Sequence, residues 1–433
     1  MASEGHRRML GDYFTLQRGT TYKSRLLGQP GPVLLGLATI QRNGGFRADS
    51  LHTYGGESPA KLLVQPGDLY LSLKDVTQSA DLLGAVARLP IDHPPGRLTQ
   101  DTVKLKPKGP DVPLDYLYWL LRTPQYRSYC GAHATGTTNL GLAREDFLAF
   151  PAPEPTPLQR KIVETLGTLD DKIELNRKMN RTLEAMAQAI FKSWFADFDP
   201  VRAKAAGRDP GLSKKIADLF PDSFEDSELG EIPEGWTMGT LDEVAEHPRR
   251  GVQPNQIEPD TPYIALEHMP RRCIALSDWG TAEGLESNKF RFRTGEILFG
   301  KLRPYFHKVG VAPLDGVCST DIVVVAPRSL HWFGFVFAHI SSVPFVEYTN
   351  ASSTGTKMPR TSWSEMACYH VVIPPKQLAE AFTNQIRPIV DRIISSIHES
   401  RAIASLRDAL LPKLISGELY VKNAERFLET WKN

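Results

Sequence analysis

The chain has 433 residues, of which 41% are hydrophobic and 23% charged, the make-up of ordinary folded protein with room for two to four domains. Its net charge of +1 supplies no global basic field, so any nucleic-acid binding must rest on local patches. Four scattered cysteines (Cys130, Cys273, Cys318, Cys368) form no C-x-x-C pair, which argues against a zinc site or a disulfide framework and suits a reducing cytoplasm.

Taken in chain order, "MASEGHRRMLGDYF" has no apolar signal-peptide core. Residues 1–150 then carry short alternating runs, "VLLGLATI", "DLYLSL", "GAVARL" and "TVKLKP", broken by Gly and Pro, which read as strands. "LDYLYWLLRTPQYRSYC" reads as one helix. After the loop "PAPEPTP", apolar residues fall at Leu158, Ile162, Leu166, Leu169 and Ile173, a narrow stripe on one face of a helix. A second segment, about 236–373, repeats the strand texture with "YIALEHM", "EILFGKL" and "DIVVVAP", followed by helical "WFGFVFAHISS". That apolar run is too short to span a bilayer, so a cytoplasmic protein without membrane contact is expected.

The chain repeats itself. Leu378, Phe382, Ile386, Ile389 and Ile393 reproduce the stripe at a constant offset of 220 residues. Asp171 falls on Asp391, and Lys172 on Arg392. Leu183, Met186, Ile190 and Trp194 fall on Ile403, Leu406, Leu410 and Leu414. Upstream, "TGTT" at Thr135–Thr138 answers "TGTK" at Thr354–Lys357. "TQDTVKLKP" answers "STDIVVVAP", and "QPGDLYLSLK" answers "RTGEILFGKLRP". The order is therefore globular segment, helix, globular segment, helix.

An unbroken helix from Leu158 to Phe195 would be about 57 Å long. A stripe that narrow needs a partner. Either each helix lies on its own globular domain, or the two pack together as a coiled coil, the reading that the steps of three and four favour. The expected seam comprises Leu169, Ile173, Leu183, Met186, Ile190, Ile389, Ile393, Ile403, Leu406 and Leu410. Asn176 and Ser396 interrupt the stripes at matched positions and either fix register or face water. Gly167–Thr168 and Arg387–Pro388 predict a kink or break in each helix, with the main rods starting near residues 168 and 388, and Pro412 is expected to bend the last turn. The aromatic cluster Phe191, Trp194, Phe195 and Phe198 is either core against the second helix or an interface for another protein.

These segments resemble one family. "PLQRKIVETLGTLDDKIELNRKMNRTLEAMAQAIFKSWFADFDPVRAK", followed by "LFPDSFEDSELGEIPEGW", is similar to the first conserved region of type I restriction–modification specificity subunits, and "LRDALLPKLISGEL" to the end of the second. "GEILFGKLRPYFHKVG" and "TGTKMPRTSWSEM" resemble motifs of their target recognition domains; the first copy, "TGTTNLGLAREDF", lacks the Met-Pro-Arg of Met358–Arg360. The resemblance implies an α+β chain with two mixed α/β target recognition domains held apart by an antiparallel two-helix coiled coil. Its divisions would be recognition domain 1 at 1–153, a first conserved helical region at 154–198, a linker returning along the rod at 199–235, recognition domain 2 at 236–374, and a second helical region with a tail at 375–433. Each domain would read one half of a bipartite target in double-stranded DNA. The helices would set the spacer and dock two methyltransferase subunits, with two restriction/translocase subunits joining them. The chain itself would have no catalytic site and no cofactor. S-adenosylmethionine would belong to the methyltransferase partner, and ATP and Mg to the nuclease partner.

The residues agree with a reader. No G-x-x-x-x-G-K-[ST] loop, H-E-x-x-H or G-x-S-x-G is present, nor an N/D-P-P-Y/F-type motif, and the neighbouring carboxylates of Asp170–Lys172 diverge on a helix. A scaffold that reads no DNA, or an enzyme with an unfamiliar site, are the alternatives. Basic residues cluster with aromatics at turn-rich places. Lys289, Arg291 and Arg293 share a strand face by alternation, and Lys301, Arg303, Tyr305, His307 and Lys308 sit in one loop. Arg249, Arg250, Lys357 and Arg360 complete the second domain's DNA-binding candidates. In the first domain they are Arg18, Lys23, Arg25, Lys74, Thr138 and Asn139. Half-sites about one turn apart, roughly 34–36 Å, face one side of a duplex.

Overall fold

The computed structural model describes residues 8–48, 51–76, 79–137, 139–228, 230–355 and 358–415. The candidates Thr138 and Lys357 lie outside the described residues, as does the chain beyond 415. Two compact units divide the rest: residues 8–171 with 404–415, and residues 172–403.

In the first unit the alternating runs form an antiparallel four-stranded sheet in the order Phe14–Arg18, Thr102–Pro107, Leu69–Ser72, Val86–Arg88. A second sheet pairs Val33–Leu35 parallel to Gly96–Leu98, with Leu63–Val64 antiparallel on the other side. The predicted single helix at 114–130 is two, Leu114–Leu120 and Pro124–Ala132. The break lies where Thr123 caps the second helix by accepting the Tyr126 N–H and Pro124 takes its first turn, a position that needs no donor.

The second unit repeats this plan. Its four-stranded sheet runs Ala245–Glu246, Ile322–Pro327, Ile297–Gly300, Val309–Val311, all antiparallel. Its other sheet again holds one parallel pair, Pro262–Ile264 with Gly316–Cys318, flanked by antiparallel Lys289–Phe292. Two helices follow, Phe333–Ile340 and Val343–Ala351, the latter capped by Ser342 as Thr123 caps its counterpart. The duplication read in the sequence is thus a duplication of topology.

The long helices are Pro157–Phe195 and Lys376–Ile415. Thr156 starts the first with a reciprocal capping box: its hydroxyl accepts the Gln159 N–H while Gln159 Oε1 accepts the Thr156 N–H. Within the second unit the two run antiparallel, since Asn176 meets Glu399 and Ser400 whereas Trp194 packs on Phe382. Within the first unit Asp170 meets Arg407, and Ile162, Val163 and Leu166 share a core with Leu411. The helices pair as a seam, and each also packs on globular domain, so both readings of the stripe hold.

Two expectations are corrected and two open alternatives are decided. The helices do not break at Gly167–Thr168 or Pro388, and the second continues through Pro412 to Ile415. A mid-helix proline costs about 3 kcal/mol, which burial of Ile386, Val390 and Ile393 around Pro388 offsets. Met186 is not in the seam: it is 49% exposed, and Ala187 is buried instead. Alternating steps of three and four from Ile173 lead through Asn176, Asn180 and Leu183 to Ala187, and Met186 lies about 100° away. Asn176 and Ser396 are both buried in the seam rather than facing water. Finally, Phe191, Trp194, Phe195 and Phe198 are core and not a free interface. They pack on Phe382, Phe335, Phe220 and Trp236.

Leu169, Leu183, Ile190, Ile389, Ile403, Leu406 and Leu410 are half-buried; Ile173 and Ile393 are fully buried. Segment 199–235 is folded rather than a plain return strand. It forms helices Asp199–Ala205 and Lys214–Ala217 and a hairpin of Phe224–Ser227 with Gly230–Pro233. Val201 and Phe220 anchor it in the aromatic core.

Candidate nucleic-acid interface

In the second unit the two loops that stood out separately in the sequence meet. Leu302 bridges Arg360, Arg360 bridges Thr354, and the Arg303 N–H donates to Pro359 O at 2.7 Å. The Thr361 N–H donates to Lys301 O at 3.1 Å. Arg303 and His307 both take left-handed backbone, at φ +52° and +49°, so the chain turns sharply on either side of Pro304–Phe306. Tyr305 in this turn is 47% exposed, and Met358 in the other loop is exposed too. Arg360 is oriented by Asp321 at 3.2 Å and stays about half exposed.

Two further cations join this surface without having been singled out in the sequence. Arg271 lies over the Phe306 ring at 3.8 Å, and the Arg272 N–H donates to His307 O at 2.9 Å. The pair "RR" at 271–272 was legible as charge. Its proximity to Phe306 was not, because 35 residues separate them.

A second cationic place lies along strand Lys289–Phe292. Arg250, Thr261, Arg291, Phe292, Arg293, Asp315 and Gly316 line a cleft of about 260 Å³. Arg291 and Arg293 are exposed, but Lys289 is not: it is 5% exposed, its ammonium donates to Ser287 O and Oγ, and burial holds its pKa below the usual lysine range. Of the three cations expected on one strand face two are exposed, and Arg291 also donates to Gln256 O at 3.0 Å. The alternation fails because Lys289 stands at the strand's first position, where its stem turns in under Ser287 and over Tyr263. Arg250 is held bidentate by Glu296 at 2.5 and 2.9 Å, which raises its pKa and spends its charge inside the protein. Its neighbour Arg249 is exposed at φ +47°.

His307 and Lys308 point inward. His307 is buried with Nε2 3.0 Å from Ser341 O, and burial lowers its pKa; Lys308 bonds to Leu266 O. Both brace the loop from behind. Lys301 is half-buried.

The first unit places its candidates in the corresponding region. Leu140–Leu142 pairs with both Lys74–Asp75 and Ala134–Thr135, which sets Gly141 opposite Lys74 and exposed Asn139 one residue before the Leu140–Asp75 pair. Lys74 pairs with Asp101 at 3.1 Å. Asp75 is fully buried and accepts the Leu82 N–H at 2.7 Å. Arg18 is exposed at the end of its strand, and Lys23 and Arg25 are exposed on the loop after Gly19. That loop is clamped by buried Arg97, which no pattern in the sequence marked. Its guanidinium donates to Glu57 O, Leu98 O, Thr20 Oγ1 and Thr21 O at 3.0–3.2 Å and lies 4.9 Å from the Tyr54 ring. Gly19 lies so close to Thr99 O that any side chain would collide.

Among the described residues no His, Cys, Asp and Glu side chains group as metal ligands, and no helix is long and apolar enough to cross a membrane.

No family model matches the chain. It is 27% identical to the specificity subunit of the MjaIX type I restriction enzyme of Methanocaldococcus jannaschii, over 71% of this chain and 69% of that one. It is 25% identical to the HindI specificity subunit of Haemophilus influenzae, over 60% and 67%, and 23% identical to the EcoDI specificity subunit of Escherichia coli, over 71% and 70%. Among solved structures, the S subunit of a type I restriction–modification system from M. genitalium has a similar fold, with a TM-score of 0.50 over 94% of this chain and 95% of that one, at 14% identity.

Proposed function

We propose that this chain is a type I restriction–modification specificity subunit, the class of its curated relatives, and that it reads double-stranded DNA with two domains. One observation carries the reading: the same α/β plan is built twice, and each copy brings two sequence-distant loops together into a surface bearing cations and amides. In one copy these are Lys74 and Asn139; in the other, Arg303, Tyr305 and Arg360. Two similar but non-identical readers fit a bipartite, asymmetric target.

The chemistry divides between affinity and sequence. Arg291, Arg293, Arg271 and Arg272 suit phosphates, which give strength and salt dependence. Arg303 and Arg360 suit the O6 and N7 of guanine, and Asn139 suits the N6 and N7 of adenine. The paired helical segments that connect the domains set the number of base pairs between half-sites. Catalysis lies in partners: two methyltransferase subunits that use S-adenosylmethionine, and two restriction/translocase subunits that use ATP and Mg.

Methylation mapping of cells expressing the complete system would give the target. A duplex carrying it is then titrated by fluorescence anisotropy against the chain assembled with its methyltransferase subunits. Binding at least about 10³-fold tighter than to a scrambled duplex is expected. Equal affinity for both duplexes, or none, would mean a scaffold that reads no sequence.

A further inference from the structure

The two copies differ where the first domain meets the long helices. At the end of helix Leu114–Leu120, the Arg122 side chain is 7% exposed and donates to Asp170 Oδ2 at 2.7 Å and to Tyr118 Oη at 2.9 Å. Its guanidinium lies over the Trp119 ring at 4.5 Å. Arg407, on the second long helix, donates to the other Asp170 oxygen and is tied in turn to Asp408. One carboxylate on the first long helix thus joins the globular domain to both helices. Although partial burial opposes ionisation, the charges of Arg122 and Arg407 hold its pKa below the usual carboxylate range.

The internal repeat supplies a control for what this cluster does. At the offset of 220 residues, Asp170 corresponds to Val390 and Arg407 to Ala187. The aligned N-caps Thr123 and Ser342 match Arg122 to Ser341. Val390 and Ala187 are buried in an apolar core, and Ser341 is buried too. The fold therefore makes the same junction without charge. A buried ion cluster adds little net stability over apolar packing, but it holds its members in one geometry. Both arginines must meet opposite oxygens of one planar carboxylate, which restricts how the domain turns on the helices.

We infer that Asp170 is a positioning residue: with Arg122 and Arg407 it locks the angle of the first domain on the helix pair and so enforces the spacer length between half-sites. This rests on the DNA-reading function proposed above, and it assigns spacer fidelity to a side-chain cluster and not to helix length alone.

The test uses the full chain assembled with its methyltransferase subunits and a duplex series in which both half-sites are constant and the spacer varies by one or two base pairs. Two variants are compared with the parent: Asp170→Ala, and the triple exchange Arg122→Ser, Asp170→Val, Arg407→Ala, which installs the second copy's residues and preserves folding if the first variant does not fold. In a folded variant, discrimination between the native spacer and one longer by a base pair falls about tenfold, with the base preferences of both half-sites unchanged; tenfold corresponds to about 1.4 kcal/mol. Unchanged discrimination in a folded variant overturns the inference, as does a loss of binding that is uniform across all spacers. A parent complex that shows no sequence-specific binding overturns the underlying DNA reading instead, so the two failures are distinguishable.

Discussion

Replacing Phe382 with alanine tests where the long helices meet. The ring is fully buried, with the rings of Phe195, Trp194 and Phe191 at 4.8, 5.6 and 6.3 Å. Truncating a buried Phe costs about 3–5 kcal/mol through lost transfer energy and the cavity left behind. Three aromatic neighbours place the loss toward the upper half of that range, about 4 kcal/mol. In a chain of two units a single melting temperature is ambiguous, so the readout is local: hydrogen exchange of amides in 183–194 and 379–390. A loss of 4 kcal/mol speeds their exchange about 10³-fold. Met186→Ala is the matched control. It truncates an apolar side chain on the other long helix, but that side chain is 49% exposed, so the change stays within about 0.5 kcal/mol, less than threefold in exchange. Comparable effects from the two variants, or less than tenfold from Phe382→Ala, would refute the seam described here.

Glu184 is half-buried on the first long helix and accepts the Ile274 N–H at 3.2 Å; desolvation raises its pKa from 4.5 to about 7. A carboxyl whose pKa is higher folded than unfolded makes the folded state bind more protons between those values, so its contribution to stability declines as pH rises from about 4.5 through 7. Glu184→Gln should flatten that decline and stabilise the protein at pH 8 in urea titrations; a steeper decline would contradict the assignment. Arg97→Ala leaves four oxygen acceptors without their donor, so exchange protection should vanish in residues 18–26 and 54–57 while the sheet at 102–107 keeps its own. Arg291→Ala and Arg293→Ala should each lower the slope of log affinity against log salt by about 1 and leave target preference intact, whereas Lys289→Ala should leave the slope unchanged.

What the sequence made legible follows from which forces act locally. Helical stripes and their duplication were readable because a 3.5-residue period survives wherever one face is buried. Met186 matches Leu406 in the repeat, yet small Ala187 occupies the seam, where bulky rings such as Phe191 fill the space nearby. Continuity through Gly167 and Pro388 reflects tertiary packing overriding local propensity. Loop convergence was invisible for another reason. Arg303 meets Pro359 through a backbone hydrogen bond across 56 residues, and Arg97 meets Thr20 through their side chains across 77, which no local pattern encodes. Asp170 looked like an idle member of a "DDK" run until the fold brought Arg122 and Arg407 to its two oxygens.

The central claim is that each globular domain reads its own half of the target. Long-read methylation mapping of cells expressing the complete system with Arg303→Ala and Arg360→Ala in the chain tests it most directly. The account predicts relaxed or altered bases in one half-site only, with the other half and the spacer unchanged. Alteration of both halves together, or of neither in a folded and assembled complex, would contradict it.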